Sequence, residues 1–580
     1  MAGEPAEREP TRSRIAGTPV SRLRGRMFEG LTLGATVFGI AAVTVLLAYV
    51  FDDAFRPRSA DPEWHLTYAL TVVVPTLALA GYFYARDSDA GEVALASVGI
   101  PVVGLLVGGG LVVLFVEVVT PTEWFGLALA LLVGAGAVYA HRKLRPDAAL
   151  ERLGVTLLAP TVAIAGIPSV SVDFTAATPF TGTELFAVAV STPKLLPSVP
   201  ELVQSLPAHP PGWVLLVASV TLPASLAFGR AVAYRREDGR GFVETVVASV
   251  AVVSAGALLA SAEALPIGPS GGLNAENWVV LATATLIPTG FYLEGVFRRE
   301  QGIAGLAFPV LLVGGVLLGG VVVRSFGFAG PDPWLDWSFL TSPTSRTPEK
   351  AGIYPPLVGS VLMLVVIVVA AFPVGVGAAI FLEEYAPNDG LAGRLVELVE
   401  INIGNLAGVP SVVYGLLGLA LFIKGMNIET GIVVVGGLTV GLLILPIIII
   451  SAQEAIRAVP DSMRQASYGM GATRWQTTRN VVLPEALPGI LTGTILALGR
   501  AIGETAPLLM IGAASSVRLA PDGFFAKFSA MPRQIFAWSS EPAAEFRFGV
   551  LAAGVVTLLV VLLLMNGTAI LVRNRYQRGS

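Results

Sequence analysis

Cysteine is absent from this sequence of 580 residues, which excludes a disulfide framework and a thiolate metal site. Histidine occurs three times, as His65, His141 and His209, far apart and in or beside loops. We read all three as ordinary loop residues. Charge is scarce: 13% of the residues are Asp, Glu, Lys or Arg, against roughly a quarter in a soluble protein. The formal net charge is −4, with acidic residues gathered in loops such as that holding Asp87, Asp89 and Glu92, a balance that argues against nucleic-acid binding. No G-x-x-x-x-G-K-[ST] phosphate loop occurs. Alternating ten-residue segments with turn signals are also missing, which argues against a membrane β-barrel.

What is present is apolar. Hydrophobic residues make up 54% of the chain and the mean hydropathy is +0.74. Apolar stretches of about 20 residues recur, long enough as helices to cross a hydrocarbon core of ~30 Å. In lipid every backbone group must bond within its own segment, so the expected class is an all-α polytopic membrane protein. Eight spans are expected at roughly 30–51, 66–85, 94–119, 124–140, 153–174, 212–229, 242–262 and 277–297. Six more follow at roughly 303–323, 356–382, 406–423, 429–450, 489–513 and 549–572. Residues 1–28, rich in arginine and without a small-residue cleavage site, read as a retained cytoplasmic tail.

Loops kept in the cytoplasm collect Lys and Arg. With the N-terminus inside, 25 of the 37 basic residues fall in tails and inner loops, 11 in outer loops, and Arg500 lies within a span. Both termini are therefore expected in the cytoplasm of a multi-pass plasma-membrane protein, with long Pro-rich outer loops at 175–211 and 324–355.

The segment 461–489 is an inner loop by this rule. Ser462 with Gln465, and Thr473 with Gln476, match the S/T-x-x-E/Q capping box and predict two short helices. Gly471 between them supplies a left-handed break, and Pro484 and Pro488 are expected to end the segment before the next span. Gln465-Ala466-Ser467, Gly471 and Val481-Val482-Leu483-Pro484 resemble the EAA loop of ABC importer permeases, whose pattern is E-A-A, three residues, G, nine residues, then I-x-L-P. Gln465, Ser467 and Val481 depart from that pattern. The resemblance implies a coupling helix seated in a groove of a separate ATPase subunit, and the loss of the Glu at 465 removes its ionic contact.

The thirteenth expected span reads L-A-L-G-R-A-I-G-E-T-A-P-L-L, with Arg500 and Glu504 four residues apart and so on one helix face. A packing ion pair and an oxyanion-handling pair both fit that spacing. The stretch R-A-x-G-E-T-A-P-L-L resembles the signature of PstA-type phosphate permeases, which implies a transport role for Arg500 and Glu504. Trp337–Pro343, Pro373–Ala386, Asn405–Leu416, Glu454–Pro460 and Arg533–Ser539 resemble the same family, so the likeness covers about residues 303–580. Within Asn405–Leu416, Gly408 and Pro410 allow either a helix break that exposes backbone to a pathway or a simple kink.

The resemblance implies a six-helix type I (MetI-like) permease core at 301–580, preceded by a membrane region of about eight helices at 29–300 that resembles nothing. It also implies a second, PstC-type permease subunit, a PstB-type ATPase dimer, and an extracellular PstS-type phosphate-binding protein. ATP is then used by the partner ATPase, and no cofactor is bound by this chain. The competing readings are a permease for sulfate or molybdate, a secondary transporter using Arg500 and Glu504, and a membrane enzyme. The transporter needs no EAA-spaced loop, and the enzyme needs a catalytic cluster that the sequence lacks.

Overall fold

The computed structural model describes residues 22–577 except 146–148, 168–170, 178–183, 192–195, 237–238, 262–273, 388 and 515. Residues 1–21 of the expected tail lie outside the described residues. The described residues are mainly helical, as the apolar runs require, with one two-stranded antiparallel hairpin among them, β1 (Ser171–Ala177) and β2 (Glu184–Ser191). Twelve helices among the described residues are long and apolar enough to cross a membrane, or thirteen if one sharply bent pair counts as a span. The sequence led us to expect fourteen.

The first part runs through α1 (Arg22–Phe55), α2 (Pro62–Arg86), α3 (Ser88–Val118) and α4 (Pro121–Leu144). Next, α5 (Ala149–Ala165) stops short of the expected 153–174 span, because Gly166 turns the chain aside at φ +68°. Its 17 residues reach ~25 Å. The short helix α6 (Val199–Gln204) continues along the same neighbour: Pro160 of α5 backs onto Gly134 of α4, and Pro200 of α6 backs onto Gly126. The hairpin is an insertion between these two pieces. Its base is closed by Ile167 N–H donating to Leu196 O at 2.8 Å.

The chain continues through α7 (Gly212–Arg235), α8 (Gly239–Ser261), α9 (Ala275–Arg299) and α10 (Ile303–Phe326). Close packing of α3 on α9 uses Gly104 and Gly108, which lie against Thr285 and Leu281. The principal neighbours of α10 are α2 and α3, with Gly315 on the carbonyl of Thr71 and Gly305 on that of Ala90.

After a short helix at Trp337–Thr341 the main elements are α11 (Tyr354–Tyr385), α12 (Gly390–Ala407), α13 (Ser411–Gly425), α14 (Val433–Arg457), α15 (Asp461–Gly469), α16 (Arg474–Ile502), α17 (Ala506–Met510), α18 (Met531–Ser539) and α19 (Phe546–Gly567). Their main core lies between α11 and α14, where Leu362, Met363 and Ile367 meet Val440, Ile444 and Ile448, all fully buried. Val113 of α3 joins the same cluster, so the two parts of the chain share apolar surface.

Candidate coupling loop and substrate pathway

The loop after α14 forms two short helical pieces, α15 and the opening turn of α16, as the sequence implies. Gly471 separates them at φ +81°, the left-handed region where a side chain is strained. Thr473 caps the second piece: its hydroxyl accepts from Gln476 N–H, and the Gln476 side chain accepts from Thr473 N–H at 2.8 Å. The first piece differs from expectation. It begins at Asp461 behind Pro460, so Ser462 already lies inside the helix and makes no cap.

Ser467, a departure from the family's alanine, is buried and shares a hydrogen bond of 2.9 Å with the buried Thr477 hydroxyl, pinning one piece to the other. Gln465 and Ala466 are exposed on the outer face of α15. Beside them Met470 and Trp475 present large apolar side chains, 83% and 57% exposed.

Pro484 and Pro488 do not end the segment. They lie within α16, which runs unbroken from Arg474 to Ile502. A proline ring clashes with the carbonyl four residues earlier. For Pro484 that residue is Asn480, which sits in a widened π-type turn, Thr478–Val482, with room for the ring. Leu483 and Pro484 thus belong to the start of the span rather than to the loop.

Arg500 and Glu504 meet as their spacing implies, Nε to Oε1 at 3.1 Å. The helix between them does not continue: α16 ends at Ile502, Gly503 caps it, and α17 restarts at Ala506. Arg500 stands in the last turn of α16, where a cation complements the helix dipole. It is 48% exposed and Glu504 14%. Among the described residues, the two terminal guanidinium nitrogens of Arg500 have no partner, so a fork of donors remains open.

Gly408 and Pro410 form a true break. Helices α12 and α13 meet at 109°, with Gly408 closing the first and Pro410 opening the second. The corner is held by Tyr414, whose hydroxyl donates to Leu406 O at 2.7 Å. This break lies beside the other: a Cβ on Gly415 of α13 would come within 2.8 Å of Pro507 Cα and Met510 Cβ of α17. Sequence reading singled out the break at Gly408 and Pro410, but it expected one unbroken span at 489–513 and so missed the break after Ile502 and the adjacency of the two. It named Arg533 only as the start of a family-like stretch; the side chain, at the start of α18, is partly buried, and its Nε has no hydrogen-bond partner among the described residues. Burial pushes that guanidinium below its ordinary pKa.

The histidines take structural contacts. Rings of His65 and His209 bond Pro57 O and Val203 O at 2.8 Å, and His141 lies 3.5 Å from Glu151.

Residues 351–575 match the family described as binding-protein-dependent transport system inner membrane component. A phosphate transport system permease protein PstA 1 of Mycobacterium tuberculosis is 33% identical over 229 residues, which cover 39% of this chain and 72% of that protein. The chain belongs to this family of ABC permeases, PstA type. The permease is also 36% identical over 222 residues to a PstC phosphate permease of Mesorhizobium japonicum, covering 33% of this chain and 64% of the relative. A chain of the MetNI methionine ABC transporter, solved in inward-facing conformations, aligns at 19% identity and a TM-score of 0.30 over 39% of the permease and 94% of its own length. The matched segment holds the loop, both breaks and the Arg500–Glu504 pair.

Proposed function

We propose that this permease is one membrane half of an ATP-driven importer of inorganic phosphate. The observation that carries the reading is a charge pair at a broken helix, Arg500 with Glu504, on the same helix that begins in an EAA-spaced loop. Force delivered to that loop acts directly on α16, and so on the position of Arg500. The guanidinium offers paired donors that fit phosphate oxygens, and Glu504 holds it when no anion is present.

The motor is a PstB-type ATPase dimer docked at Gln465, Ala466, Ser467 and Gly471, which binds and hydrolyses ATP. The second half is a PstC-type permease, and a PstS-type binding protein delivers phosphate from outside. Both termini lie in the cytoplasm. Gly408 and Pro410 keep the α12–α13 corner open beside the pathway.

The test is reconstitution of the complex in vesicles. Arg500→Ala is expected to leave ATPase co-purification intact and to lower phosphate uptake about tenfold or more, the loss that follows from removing charge-assisted hydrogen bonds. Wild-type uptake by that variant discards the role of Arg500. Equal competition by sulfate or molybdate would make the importer one for another oxyanion.

A further inference from the structure

Three consecutive residues at the loop end of α11 each engage a different arginine. Glu383 forks with Arg457 at the end of α14, Oε1 to Nη2 at 2.7 Å and Oε2 to Nε at 2.9 Å. Glu384 takes Arg464 of the coupling helix α15, Oε1 to Nη2 at 3.1 Å. The Tyr385 ring lies under Arg474 of the second loop piece, 5.6 Å from ring centre to guanidinium. Successive residues of a helical turn point to different sides, and through these three this end of α11 is inserted among all three elements. The turn Phe381–Tyr385 is of the wide π type, closed by Ala386 N–H to Phe381 O at 2.8 Å.

The Glu384 pair is the unusual member. Glu384 is only 6% exposed, so its charge is held away from water by one guanidinium. Arg464 also donates to the carbonyls of Ile456, at 2.8 Å, and Val459. It therefore welds α15 to the end of α14 and to α11 together. Neither Glu384 nor Arg464 belongs to the EAA pattern.

At its other end α11 touches the segment leading into α18. Ser360 Oγ accepts from Met531 N–H at 2.9 Å, and Gly359 lies on the Ser529 carbonyl. The helix is 32 residues long, and from Ser360 to Glu384 it spans ~36 Å.

We propose that α11 is the rod that carries coupling-loop motion across the membrane, gripped at one end by Arg457, Arg464 and Arg474 and bearing at the other on residues 529–531. Glu384 and Arg464 act as positioning residues for transport, and the inference rests on the importer reading above. A loop displaced by the motor takes Glu384 with it, and the close-packed α11–α14 core transmits the shift without absorbing it.

The experiment measures phosphate carried per ATP hydrolysed by the reconstituted complex with its ATPase and binding protein. Glu384→Gln and Arg464→Gln are expected to retain co-purified ATPase while the ratio falls about tenfold. The double exchange Glu384→Arg with Arg464→Glu should recover part of it. A purely structural role would lower the yield of complex and leave the ratio unchanged. If the single variants do not assemble, Tyr385→Leu decides: it keeps an apolar side chain, removes only the ring contact and a buried hydroxyl that has no partner among the described residues, and should lower the ratio severalfold. A wild-type ratio in the assembled variants overturns the rod. Absence of ATP-driven phosphate uptake by the wild-type complex instead overturns the importer reading and this inference with it.

Discussion

Ser467 stands where the family pattern has alanine, and its hydroxyl is spent inside the loop on Thr477. Ser467→Ala leaves the Thr477 hydroxyl buried with no partner, a cost of about 1–3 kcal/mol. Ser467→Ala with Thr477→Val removes both polar groups and should be close to neutral. Thermal unfolding of the purified variants checks the pair, and equal destabilisation by the single and the double change would contradict the assignment. Gly471 makes a different demand. No atom lies within 4 Å of a Cβ there, so only its φ of +81° resists substitution. Gly471→Asn should be tolerated, because Asn visits the left-handed region, whereas Gly471→Val should cost about 1–2 kcal/mol and distort the loop. Weaker ATPase co-purification with Val than with Asn is the expected result. Equal binding would count against this loop as the docking site.

At the level of elements, what was legible depended on sequence distance. The Arg500–Glu504 contact, the Thr473 cap and the left-handed Gly471 are local and were legible, although the helix expected to carry the pair ends at Ile502, before Glu504. Whether a helix survives a proline was not local. Pro410 opens α13 after Gly408 has closed α12, while Pro484 is carried through by a widened turn that no residue pattern announces. The grip on α11 was beyond reach, because Glu383 and Arg457 lie 74 residues apart and Glu384 and Arg464 lie 80 apart. The span expected at 153–174 ran on too far for a local reason: Gly166, at φ +68°, turns the chain aside directly after Ala165. The adjacency of the two breaks gives an element-level test. Gly415→Leu drives a side chain into Pro507 and Met510, and overpacking of this kind costs about 1–3 kcal/mol. It should part α13 from α17 and depress phosphate uptake, with ATPase co-purification retained because the loop is untouched. Normal uptake would show that the two breaks work independently.

At the scale of the whole molecule, the question is what the helices before residue 300 do for the rest. The family match begins at residue 351, yet α10, expected as the first helix of the core, rests mainly on α2 and α3. Two neighbouring glycines of α10 separate the consequences. Gly315 meets the Thr71 carbonyl, where a Cβ would come within 2.2 Å, while Gly314 has no atom within 4 Å. Both stand in the same apolar helix, so leucine at either alters hydrophobicity and helix propensity alike. Gly314→Leu should leave the thermal midpoint and phosphate uptake at wild-type values. Gly315→Leu must push α10 off α2, and backbone on the opposing face cannot rotate away as a flexible side chain would. Its thermal midpoint should fall by several degrees. If the first helices only steady the permease, uptake per folded molecule stays unchanged, since neither the loop nor Arg500 touches that seam. A loss of uptake in folded Gly315→Leu protein would make α10 and its neighbours part of the moving machinery.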